Sequence, residues 1–243
     1  MDDYARERYM DFLAVRRERI LDRIEDACAR AGRAPEEVTL LAVSKTVGAD
    51  EVALAQRVGY TIFGENRPQE LTRKTNALAA MPGVAQPRFD MIGNLQKNKI
   101  NQVLGLAEFI HSVSSTHLAE AISKRAEARQ MVARVLLEIN VSGELSKSGF
   151  APDELRAEVE RLCGLPGISL EGVMTMAPAH DAEAARRTFA GLYALADELR
   201  GRTGLELAVI SCGMSDDFQI AIEEGSTLVR LGRTVFDPDY DLI

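Results

Sequence analysis

Apolar and polar positions follow two periods along this chain. Short apolar runs at 38–44, 60–63, 88–93, 108–113, 133–141, 168–176, 205–211 and 227–231 are rich in Val, Ile and Leu. Such runs predict strands covered on both faces. Between them, near 49–58, 65–79, 95–104, 115–130, 152–163, 182–201 and 215–224, apolar residues return at helical spacing. Upstream, 4–32 predicts one long helix with a stripe of Phe12, Leu13, Ile20, Leu21 and Ile24. Arg16, Arg17, Arg19 and Arg23 fall on its other faces and read as a solvated surface. Gly32 and Pro35 end that helix.

Alternating strands and helices without a break in composition predict one α/β domain over 1–243. The architecture expected is a single (β/α)8 TIM-type barrel, with the additional N-terminal helix of 1–34 packed on it. An open, doubly wound sheet is the runner-up.

Composition narrows the class. No apolar stretch approaches the roughly 18 residues of a membrane span, and the polar start Met1-Asp2-Asp3-Tyr4 lacks a secretory signal's apolar core. A net charge of −8 argues against non-specific nucleic-acid binding. Cys28, Cys163 and Cys212 are too far apart for a metal site and odd in number, as expected of reduced thiols in the cytoplasm. His111 and His117 read as structural or surface residues. With no large apolar patch evident, a monomer is the default expectation.

In a barrel, chemistry belongs at the C-terminal strand ends. Lys45 follows the first strand. An amine there would be partly desolvated, lowering its pKa from about 10.4 and freeing a nucleophile. Taken alone, Lys45 reads first as a strand-end lysine snorkelling to water, and only the rest of the chain favours the nucleophile. Two further ends look suited to a phosphate. Ser211-Cys212-Gly213-Met214-Ser215 leads from the seventh strand, with Ser215 expected at a helix N-cap, and Gly232-Arg233-Thr234 follows the eighth. Two tight turns would need the same glycines. Asp216 and Asp217 read as first-turn acids facing solvent, and Glu65 as a cap on the following helix. A lysine and a phosphate site in one barrel mouth suggest pyridoxal 5′-phosphate (PLP), an aldehyde that forms an imine with lysine. Arg230 would leave its pyridine ring unprotonated, since arginine cannot accept a proton.

Longer motifs then carry a resemblance. They are Ala42-Val43-Ser44-Lys45, Gly64-Glu65-Asn66-Arg67-Pro68-Gln69-Glu70, and Ile92-Gly93-Asn94-Leu95-Gln96-Lys97-Asn98-Lys99. Ile139-Asn140-Val141-Ser142 with Lys147-Ser148-Gly149, and Gly172-Val173-Met174-Thr175-Met176, come next. Gly213-Met214-Ser215-Asp216-Asp217 and Gly225 through Gly232 complete the set. Over nearly its whole length the chain resembles the pyridoxal phosphate homeostasis protein family.

The resemblance implies a barrel like the N-terminal domain of alanine racemase, holding PLP as an imine on Lys45. It places Ser211 and the backbone of Gly232 and Arg233 at the phosphate, Arg230 at the ring nitrogen and Asn66 beside the ring. Gly213, Met214, Ser215 and Thr234 complete the expected cofactor contacts. It implies a role in vitamin B6 homeostasis without turnover, and PLP-dependent apoenzymes as candidate partners. The chain departs from the family pattern in three places: Arg233 where Thr or Ser is usual, Asp237 where Gly is usual, and Asp90 where His is frequent. The competing reading is an amino-acid racemase. It needs a second base from an additional domain, whereas Ile243 closely follows the barrel and no tyrosine falls at a strand C-terminus. A third reading is a barrel for another phosphorylated metabolite, held without an imine.

Overall fold

The computed structural model describes residues 2–144 and 146–242. Eight parallel strands close into a barrel in chain order: β1 Thr39–Val43, β2 Ile62–Glu65, β3 Arg88–Met91, β4 Phe109–Val113, β5 Ala133–Glu138, β6 Ile168–Met174, β7 Val209–Ser211 and β8 Leu228–Leu231. Outside it run α1 Asp3–Ala31, α2 Ala49–Arg57, α3 Pro68–Ala79, α4 Ile100–Val103, α5 Thr116–Glu127, α6 Pro152–Cys163, α7 Ala182–Thr203, α8 Phe218–Glu223 and α9 Arg233–Phe236. The closed barrel is the expected architecture; the open sheet is excluded by the pairing of β1 with β8.

Pleating explains how the strands serve two cores. Ala42, Phe63, Phe89 and Val229 face the helices in the large outer core. Leu41, Val43 and Leu228, with Ile62, Ile92 and Val209 against them, form a smaller cluster inside the barrel. Polar residues, among them Asp90, His111, Ser211 and Arg230, take other buried strand positions, and these build the site.

Several strand boundaries move from their expected places, and three of the shifts have a plain physical cause. The Tyr60 N–H still bonds Ala55 O at the end of α2, so β2 starts at Ile62 instead of 60. Asn140 N–H bonds Phe150 O, which turns the chain away from the sheet and ends β5 at Glu138 instead of 141. Leu207 lies at φ 40, incompatible with a strand, so β7 begins only at Val209.

The N-terminal helix packs on α2, α8 and α9. Its Arg16 is not solvated as expected: the side chain is buried and donates to Tyr240 O (2.8 Å) and Asp237 O (3.4 Å). The segment after α9 is thereby tied to α1. Among the described residues, no helix is long and apolar enough to cross a membrane.

Candidate functional site

Register brings the two sequence-predicted halves together. β1 and β8 pair Leu41 with Arg230 and Ala42 with Leu231, so Lys45 and Gly232–Thr234 emerge side by side. A Cβ on Gly232 would lie 3.4 Å from Val43 Cβ. The ends of β1 and β8 therefore meet at the mouth.

Lys45 stands on a fixed backbone. Ser44 is buried, its N–H bonds Gly64 O (3.0 Å) and its hydroxyl donates to Glu65 Oε1 (2.6 Å). Lys74 of α3, fully buried, donates to Ser44 O (2.6 Å) and forms an ion pair with Glu65. Glu65 is thus no helix cap: it is drawn behind β1 by a lysine on the apolar face of α3, between Leu71 and Leu78. The Lys45 side chain is itself exposed at the mouth, not partly desolvated as expected. Ligand access is what this position provides.

Asn66 follows β2 and is half-buried. Its carbonyl lies where any side chain on Gly93 would intrude, 2.3 Å from an ideal Cβ, so only glycine lets the ends of β2 and β3 close here.

The turn after β7 differs from expectation. Helix α8 starts at Phe218, so Ser215 is not its N-cap. Ser215 is buried, and its Oγ accepts from Thr234 N–H (3.2 Å), joining the turn after β7 to the one after β8. Gly213 sits at φ 90, with Ala221 Cβ 2.6 Å from where its own Cβ would be. Met214 is exposed on the rim. Asp217 does not face solvent: its carboxylate accepts from Met214 N–H (2.6 Å), and burial pushes its pKa up. Asp216 is exposed but engaged, by Arg233 Nη2 (2.5 Å) and by the Tyr240 hydroxyl (2.9 Å). Arg233 also stacks over the Tyr240 ring at 5.0 Å. Its guanidinium is directed to the segment after α9. Thr234 Oγ1, in contrast, is buried and has no hydrogen-bond partner among the described residues.

Below the mouth, Ser211 and Arg230 are both buried inside the barrel. Arg230 Nη1 donates to Ser211 Oγ (2.6 Å) and Nη2 to Thr175 O (3.1 Å). Ser211 Oγ also lies 3.0 Å from His111 Nδ1, and His111 Nε2 lies 3.1 Å from Asp90 Oδ2. His111 is therefore an interior residue bonded at both nitrogens. Asp, His and Ser in this order do not make a nucleophile, because Ser211 has no exposed surface. Burial lowers the Arg230 pKa, opposed chiefly by Cys212, Asp217 and Glu138.

Glu138 was missed because the longer expected strand put it mid-element. It ends β5, is buried, and its Oε2 has no partner among the described residues. Burial pushes its pKa up, with Arg230 pulling the other way. Lys74 was also missed, and Asp90 was noted only as a departure from the family pattern; a lysine on an apolar helical stripe and an aspartate within a strand were the available signals.

The orphan hydroxyl of Thr234, the adjoining Gly232 backbone, the exposed amine of Lys45 and a buried guanidinium with donors to spare fit a phosphorylated aldehyde bearing a ring nitrogen. Comparison with known proteins agrees with that chemistry. The model for the alanine racemase N-terminal domain matches residues 15–237. A pyridoxal phosphate homeostasis protein of Aquifex aeolicus is 39% identical over 219 residues, covering 90% of this chain and 94% of its own. One from Pseudomonas aeruginosa is 38% identical, covering 93% and 96%. The structure of PipY from Synechococcus elongatus with PLP bound is 32% identical, with a TM-score of 0.76 over 88% of this chain and 99% of that one. By fold and by site, this is a β/α barrel of the alanine racemase N-terminal domain class. Within that class, the chain belongs to the pyridoxal phosphate homeostasis protein family.

Proposed function

We propose that this protein binds PLP as an imine on Lys45 and serves PLP homeostasis without catalytic turnover. The observation that carries the reading is the convergence at one barrel mouth of an exposed lysine, an unpartnered buried hydroxyl at Thr234 and an interior arginine. The relatives' names and the PLP-bound PipY structure support it.

When bound, PLP supplies an electrophilic aldehyde and an electron-withdrawing ring. Lys45 offers its amine as the covalent attachment point, on a backbone immobilised by Ser44, Glu65 and Lys74. Thr234 offers a hydroxyl and Gly232 and Arg233 offer backbone N–H groups toward the phosphate, with Ser215 joining the two turns and Gly213 and Met214 forming the adjacent wall. Thr234 supplies the hydroxyl that Arg233 lacks. Ser211 holds Arg230 in place of contacting phosphate directly. Arg230 donates toward the ring nitrogen and keeps it unprotonated. Asn66 borders the ring. Monomeric behaviour, a cytoplasmic location and transfer of PLP to apoenzymes belong to the same proposal.

Borohydride reduction followed by mass spectrometry should place PLP on Lys45. Undiminished loading of Lys45→Ala would overturn the attachment. Glu138 supplies the one argument for the racemase reading, as a buried strand-end carboxylate able to hold a proton. Deuterium incorporation at the α-carbon of L-alanine in heavy water separates the two: exchange faster than about 1 per second, within the ordinary enzymatic range, would replace the binding function with turnover.

A further inference from the structure

The barrel interior holds a polar chain that simple retention of a cofactor does not require. Arg88 Nη2 lies 2.9 Å from Asp90 Oδ2, which lies 3.1 Å from His111 Nε2. His111 Nδ1 is 3.0 Å from Ser211 Oγ, which accepts from Arg230 Nη1 at 2.6 Å. The chain crosses from β3 through β4 and β7 to β8.

Only one set of proton positions satisfies every member. Arginine can only donate and a carboxylate only accept. Ser211 accepts from Arg230, so its own hydrogen goes to His111 Nδ1. His111 must then carry its proton on Nε2 and donate it to Asp90. A doubly protonated His111 would leave the Ser211 hydrogen without an acceptor and put a second buried cation beside Arg230. The charged groups around the ring are Asp90 and Arg88 on β3 and Arg230 on β8; Phe109, on its own strand, meets it edge-on at 6.3 Å. Burial acts in the same direction, holding the His111 pKa below its ordinary value.

We propose that Asp90 and His111 are positioning residues for Arg230: Asp90 locks His111 as the neutral Nε2–H tautomer, His111 takes the Ser211 hydrogen, and Ser211 is left presenting a lone pair that holds the guanidinium in one orientation toward the ring nitrogen of PLP. The last step rests on the reading of Arg230 given above. Asp90 itself is saturated, accepting also from Arg88 Nε (3.1 Å) and Phe109 N–H (3.3 Å), so it cannot turn away from His111 without losing these.

The first measurement needs no cofactor. In the full chain labelled with ¹⁵N-histidine, the signal lost in His111→Gln should report an unprotonated Nδ1 and a protonated Nε2, unchanged between about pH 6 and 8, where a free histidine titrates. A proton on Nδ1, or titration in that range, would overturn the lock whatever the chain binds. The second measurement compares PLP with pyridoxal. His111→Leu should weaken both by about tenfold, the effect of losing one hydrogen bond to a charged group, and should shift the visible absorbance of the bound cofactor. Asp90→Asn should do the same to a smaller degree, and serves if His111→Leu does not fold. Unchanged affinity and spectrum in the folded variants would overturn the positioning role, and so would a loss confined to PLP, which would place the effect at the phosphate. Failure of the wild-type chain to bind PLP at all would instead refute the proposed function and leave the tautomer result standing.

Discussion

Two buried polar clusters flank the mouth, and they are closed in different ways. Between sheet and α3, Lys74 and Glu65 cancel each other's charge, and Ser44 fills the remaining positions. Inside the barrel, Arg230 meets a hydroxyl and a carbonyl, while Glu138 and Asp217 act on it only from a distance. The first cluster is complete without a ligand and fixes the backbone before Lys45. The second keeps guanidinium donors in reserve, so an acceptor brought by a ligand completes it. A buried charge that is fully paired serves structure; one left partly unpaired marks the place where binding energy is available.

The largest expected effect comes from breaking the closed cluster. Lys74→Met leaves Glu65 buried alone and should cost about 3–5 kcal/mol in urea unfolding. Adding Glu65→Leu should recover most of this, because the pair can be replaced by apolar packing. A Lys74→Met cost below about 1 kcal/mol would show that solvent reaches the pair.

The open cluster should be sensitive to acid. His111 is held neutral, its folded pKa below its unfolded value near 6.5, so the unfolded chain takes up the proton first as pH falls. Its contribution is complete above about pH 6.5 and declines below that by up to about 1.4 kcal/mol per pH unit. Asp90 acts lower. Burial alone would raise its pKa, but His111 and Arg88 together hold it below the ordinary value, so its contribution fades only as pH drops under about 4. Urea unfolding from pH 8 to 5 should show the upper decline, and His111→Leu should abolish it.

Glu138→Gln is expected to stabilise by about 1 kcal/mol at neutral pH, within the usual cost of an unsatisfied buried group. A carboxyl whose folded pKa is raised loses stability as pH rises through that value, so the advantage should vanish below about pH 4. If the variant is instead less stable at pH 7, Glu138 is serving Arg230 as a needed counter-charge. The smallest effect is expected outside both clusters. Arg233 and Asp216 pair with side chains 58% and 46% exposed, so Arg233→Ala should change stability by no more than about 0.5 kcal/mol. A large loss of PLP affinity in that variant would show that the guanidinium leaves Asp216 for the phosphate.

Local pattern was enough for the frame. Apolar runs of strand length, broken by helical periods, can bury their surface only in a covered parallel sheet, and eight of them in this length close a barrel. The rule that barrel strands present chemistry at their C-terminal ends then placed Lys45, Arg230 and Gly232–Thr234 at one mouth before any contact was known. Tertiary structure alone decided what those residues touch. Asp90 and His111 are 21 positions apart and His111 and Ser211 are 100 apart, so no local period relates them; closure of the barrel does. Glu138 became a strand end because Asn140 bonds to Phe150, and Arg16 became buried because the segment after α9 folds across α1. Periodicity reports which face of an element avoids water, a property of neighbouring residues. Which polar group meets which inside that face depends on register and closure, and those are set by all eight strands together.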